Sequence, residues 1–194
     1  MNFYGDATRI TFSAISTAAA SLGCEPAVVW AVCDVEATSS GFLPDKRPKI
    51  LYEAHVFGRL TGHRWDRTHP NVSAPSWNRR LYGALGAHQY DRLGKAMKLD
   101  ETAALEAASW GMFQILGLNH GTCGFHTVQD MVNAFVKGEP EQLNGFVAFC
   151  KANGLDKRLR AHDWARFALG YNGPGYRDNA YDTKLAAAYR KHSS

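Results

Sequence analysis

The sequence predicts a mainly α single domain with one small irregular or β-containing lobe near its front. Three observations predict it. Most of the 194 residues fall into apolar segments of helical spacing bounded by cap residues. The segment 41–86 breaks that pattern with Pro44, Pro48, Pro70, Pro75 and several glycines. No linker, repeat or low-complexity stretch divides the chain, and its length suits one domain better than two.

The elements follow in order. Thr11 to Leu22 is small and Ala-rich and ends at Gly23. Pro26 fits the first turn of a second helix, where a missing N–H costs nothing. That helix runs through Val28, Trp30 and Val32 to Glu36 and is apolar nearly all round, so it should be a buried central helix. Within the lobe, Lys49 to Phe57 is the one ordered-looking stretch, a strand or a short helix. The lobe is expected to face the active centre. Helices resume over Gln89–Lys98, and Asp100 can cap Glu101–Ala108. Thr127 and Asp130 form a capping-box pattern that opens Val128–Lys137. Leu143, Phe146, Val147 and Cys150 keep helical spacing up to Gly154. Asp163 caps a short helix through Leu169, and a last helix spans roughly Asn179–Lys191. The stripe of Phe146, Phe149 and Trp164 reads as core, and Arg190-Lys191-His192 as a frayed helix end.

Composition narrows the function classes. Hydrophobic residues make up 45% and charged residues 21%, the balance of a globular chain. The net charge of +4 is dispersed without a basic block, which argues against nucleic acid as a partner. No apolar run is long enough to span a bilayer, so no stable membrane insertion is expected. The N-terminus lacks a basic segment followed by an apolar one, and synthesis without a secretory signal, in the cytoplasm, is the expectation. Cys24, Cys33, Cys123 and Cys150 are scattered and read as free thiols in or near the core. His120, Cys123 and His126 are spaced like metal ligands, but a closed site wants a fourth. No metal or organic cofactor is expected.

Glu36 is the first candidate for chemistry. It ends an apolar helix, where burial among neighbours such as Trp30 and Val32 and the negative end of the helix dipole would both raise its pKa. A carboxylic acid still protonated near neutral pH is what protonation of a glycosidic oxygen requires. Position alone favours a solvated surface glutamate at a helix end. Three separated motifs favour chemistry: Val35-Glu36-Ala-Thr-Ser-Ser-Gly-Phe42, Ser109-Trp-Gly-Met-Phe-Gln-Ile115, and Leu169-Gly-Tyr-Asn-Gly-Pro-Gly175. In this order they resemble the goose-type lysozymes and soluble lytic transglycosylases. Gly41 to His55, Ala108 to Gly117, Tyr171 to Tyr176 and Tyr181 to Tyr189 extend the likeness, and together they resemble the N-acetylmuramidase domain of Gram-negative phage endolysins.

That resemblance implies a lysozyme-like fold and cleavage of bacterial peptidoglycan between N-acetylmuramic acid and N-acetylglucosamine. It implies Glu36 as the catalytic acid, and Gln114, Tyr171 and Asn172 in the cleft. Ala37 stands where the family often has Ser, and Ser39 or Ser40 can take over that hydroxyl. Glu53 is the second carboxylate, expected to be catalytic as base or charge stabiliser, and Ser40 and His55 are expected among the substrate-binding residues. The alternative is an ion pair with Arg47, Arg59 or His55 that fixes the lobe. Likewise Gln114 and Asn172 suit sugar recognition, or else satisfy loop backbone groups. A monomer acting on the cell wall after release from the host cytoplasm is expected. A lytic transglycosylase and a silent glycan-binding module are the rival readings.

Overall fold

In the computed structural model, which describes residues 1–36 and 40–193, Thr11 opens the first helix, α1 (Phe12–Leu22), by accepting from the Ala14 N–H. Gly23 closes it at φ 71°, a left-handed conformation that glycine adopts without a Cβ penalty. α2 (Pro26–Glu36) follows, with Val28, Val29, Ala31 and Val32 buried. The stretch expected as strand or helix is both: β1 (Ile50–Tyr52) turns directly into α3 (Ala54–Leu60). Next come α4 (Ala87–Met97) and α5 (Glu101–Glu106), the latter capped by Asp100 as expected.

α5 stops two residues short of its expected end because Ala108 belongs to β2 (Ala108–Trp110). β2 lies antiparallel to β1, with Ile50 opposite Trp110 and Tyr52 opposite Ala108. β3 (Ile115–Leu116) pairs with the other edge of β2, giving the order β1-β2-β3. Strands of two and three residues are too short for alternation to show in a sequence.

The remaining helices are α6 (Val128–Phe135), α7 (Glu139–Ala152), α8 (Asp156–Arg160), α9 (Trp164–Asn172) and α10 (Tyr181–His192). Thr127 and Asp130 form the full capping box at α6. α8 was not expected, since Leu159 is its one buried residue. α9 runs past Leu169 and so carries Tyr171 and Asn172 on a helix rather than a loop.

α2 packs between α1 and α10 at the centre. The end of α10 is docked rather than frayed: Lys191 Nζ and His192 Nε2 meet Asp34 Oδ2 at 3.0 and 2.9 Å. Burial works against the Asp34 charge, but the hydrogen bonds from His192 and Lys191 outweigh it and hold the carboxyl below its ordinary range. Phe146 is fully buried and stacks on Phe113, whereas Phe149 and Trp164 are partly buried against the same core. The four cysteines are unpaired, three of them buried. Among the described residues no single helix is long and apolar enough to cross a membrane.

Candidate active site

The C-terminal end of α2 delivers Glu36 to a cleft of about 310 Å³, which it lines with Ser40, Leu43, Lys49, Leu85 and Gln114. Burial pushes the Glu36 carboxyl up from an ordinary 4.5 to about 7. Val32, one turn earlier, is fully buried. Trp30 serves elsewhere: six residues before Glu36 it points roughly 120° away around the helix, and its ring stacks on His192.

Asn172, on the last turn of α9, donates from Nδ2 to Glu36 Oε1 at 3.4 Å. Its own Oδ1 is buried with no partner. A stranded acceptor is costly. Turning the amide over would give that oxygen to a protonated Glu36, so the pair matches best when the acid holds its proton.

The β2–β3 turn forms one wall. Gly111 and Gln114 both take left-handed backbone conformations, at φ 71° and 48°. For glutamine that is uncommon, and such strain collects at functional sites. Gln114 Nε2 donates to the carbonyls of Gly111 and Lys49 at 2.8 and 3.3 Å. The amide thus does satisfy loop backbone, while the exposed side chain still lines the cleft. Tyr171 serves mainly as an anchor. Its hydroxyl donates to the Phe113 carbonyl at 2.7 Å, and its ring stacks on Phe167. One part of it reaches a depression of about 160 Å³ beyond Gln114, shared with Asn119 and Phe149.

The residue that sequence reasoning missed is Glu139, at the start of α7. Its side chain is fully buried. Oε1 accepts from Ser40 Oγ and from the Gly41 N–H, each at 3.0 Å, and Oε2 accepts from the Ile10 N–H at 2.9 Å. Arg9 stands 3.3 Å from Oε1. Glu139 therefore ties the N-terminal segment at Ile10 to Ser40 and Gly41. Gln142, one turn on, is also fully buried. It accepts from the Met112 N–H at 2.7 Å and donates to the Phe135 carbonyl at 2.9 Å, fixing the β2–β3 turn from below. Ser40 lines the cleft with its hydroxyl committed to Glu139, and Ser39 lies outside the described residues, as does Ala37.

Glu53 and His55 occupy a different place. They line a small pocket with Tyr82 and Arg92, not the Glu36 cleft. Tyr82 donates its hydroxyl to Glu53 Oε2 at 2.5 Å, and His55 Nδ1 is 3.4 Å from the same oxygen. Arg47 pairs with Asp45 instead. Burial and the Glu53 carboxylate push the Tyr82 phenol up to about 12, which keeps it a donor. Among the described residues no group of three His, Cys, Asp or Glu side chains is arranged to hold a metal ion. His120 faces Glu106 and the Phe125 carbonyl.

Comparison with known proteins adds independent findings. The family model for N-acetylmuramidase matches residues 25–193. Among solved structures, the crystal structure of a Burkholderia AP3 phage endolysin matches with a TM-score of 0.90 and 38% sequence identity, over 97% of this chain and 72% of that one. Comparison with curated proteins finds no significant match.

Proposed function

The chain belongs to the N-acetylmuramidase family, and from that premise we propose that it is an endolysin-type peptidoglycan hydrolase working as one domain and as a monomer, with Glu36 as its general acid. The observation that carries the proposal is the buried carboxyl at the head of the cleft, raised to about 7. Such a group holds its proton near neutral pH and can still release it. It gives that proton to the bridging oxygen as oxocarbenium-like charge develops on the muramic acid ring. Asn172 steadies the protonated acid, and the strained Gln114 and the ring edge of Tyr171 keep the glycan in register across the two depressions.

For Glu53 the contacts with Tyr82 and His55, in a pocket of only about 10 Å³, support the anchoring role over direct activation of water. Glu53→Gln is then expected to lower the melting temperature while turnover per folded molecule stays within about tenfold of wild type. A loss of about 10²–10⁴-fold at unchanged stability would restore Glu53 as the base.

Glu36 is the one carboxylate among the described residues lining its cleft. That observation keeps a lytic transglycosylase as the second reading, in which the muramic acid 6-hydroxyl replaces water. Mass spectrometry of fragments released from purified peptidoglycan separates the two. Reducing N-acetylmuramic acid ends are expected. Anhydromuramic acid ends would establish the transglycosylase, and cleavage of peptide bonds alone would defeat both.

A further inference from the structure

A second pocket, about 270 Å³, is walled by the same loop that walls the Glu36 cleft. Arg80, His88, Arg92 and Lys95 line it, and no acidic residue does. His88, Arg92 and Lys95 sit at the i, i+4, i+7 spacing that aligns side chains along one face of α4. Arg80 comes from the preceding loop.

These cations are not equivalent. Arg92 is buried and committed, donating to the carbonyls of Tyr52 and Asn71 and to Gln89 Oε1, and Glu53 is close enough to offset part of its charge. Arg80 and Lys95 are exposed and make no ion pair with any described residue. Asp91, the one acid of α4, is exposed and does not line the pocket. Arg80 and Lys95, converging without an ion-pair partner among the described residues, leave a positive potential that an oxyanion would relieve.

The position narrows the oxyanion. Gly83 belongs to this pocket and Leu85 to the cleft, so their Cα atoms are at most about 8 Å apart. A short branch on a glycan lying in the cleft is enough to span that separation. In peptidoglycan that branch is the peptide stem on the muramic acid lactyl group, which carries free carboxylates.

We propose that Arg80, Lys95 and the pocket they edge bind a carboxylate of the peptide stem, so that the enzyme selects stem-bearing glycan over bare glycan. The proposal rests on the muramidase reading above. Its test is the double variant Arg80→Gln/Lys95→Gln, in which both changes are at exposed positions. The value of kcat/KM is measured on stem-bearing strands and on strands stripped of stems by an amidase. The variant is expected to lose about tenfold on stem-bearing strands, the scale of two exposed charge contacts, and clearly less on stripped ones. Equal losses on both substrates, or none on either, overturn the proposal. Titration with an isolated stem peptide should show binding to wild type that the variant weakens. If the variant instead loses binding to phosphatidylglycerol vesicles, and wild type ignores the peptide, the pocket serves a lipid headgroup and the proposal fails. Should wild type cleave neither strand, the muramidase reading fails, and the peptide titration still decides what the pocket holds.

Discussion

Glu36→Gln is expected to abolish turnover, with a loss of at least the roughly 10²–10⁴-fold that general acid catalysis supplies, while glycan binding persists. The amide keeps the shape of the carboxyl and its place beside Asn172 but has no proton to transfer. The same substitution should reveal a stability cost of the acid. Burial raises the folded-state pKa from 4.5 to about 7. The contribution of the protonated carboxyl is therefore fully present below about pH 4.5 and is lost as pH rises through 7. The variant carries no such penalty. Its melting temperature should match that of wild type near pH 4, exceed it increasingly between about pH 4.5 and 7, and keep that margin above pH 7. The wild-type kcat/KM should fall as pH rises through about 7, because the acid must be protonated in the free enzyme. Lysis at near wild-type rate by the variant would falsify the assignment of Glu36, and a stability difference independent of pH would deny the raised pKa.

The second large effect belongs to Glu139. Replacing it by alanine removes the acceptor of the Ile10 and Gly41 N–H groups and of the Ser40 hydroxyl together. Leaving such donors unpaired costs about 1–3 kcal/mol each. In a chain of this size that lowers the melting temperature by about 10 °C. Glu139→Gln should cost less, since its one carbonyl oxygen can still accept while its NH₂ faces a donor. Both variants should also lower turnover of the protein that remains folded, because Ser40 lines the same cleft as Glu36. A melting temperature of Glu139→Ala within about 2 °C of wild type, measured by calorimetry, would show that other groups hold that segment.

These two glutamates mark what a sequence can and cannot disclose. Glu36 stands out in the sequence through the three motifs, since a carboxylate at a helix end by position alone suits a solvated surface group, and its burial in the structure supports that reading. The caps at Asp100, Thr127 and Asp163 were legible because each bond spans only three residues. Glu139 hides in Gly138-Glu-Pro-Glu141, where acids in a first helical turn normally just complement the helix dipole. Its partners lie 98 to 129 residues away. Glu53 was singled out because glycoside hydrolases commonly use two carboxylates, which says nothing about shared space, and it lies after β1 in another pocket. Tyr171 has the side chain of a sugar platform, yet the Phe113 carbonyl and the Phe167 ring claim most of it.

The pairing of Ile50 with Trp110 closes a large loop containing α3, α4 and α5. Closure entropy grows only with the logarithm of loop length, about 0.6 kcal/mol for each doubling. Once that loop is closed, a few extra residues in its exposed stretches, such as those around Arg67 and Arg79, add almost nothing to the cost. The β2–β3 turn has no such latitude, since a Cβ on Gly111 would fall 2.5 Å from the Gln142 amide. The two walls of the cleft are thus unequal in evolvability. One can lengthen and drift toward a new cell-wall chemistry, while the other holds the acid's surroundings to a single shape.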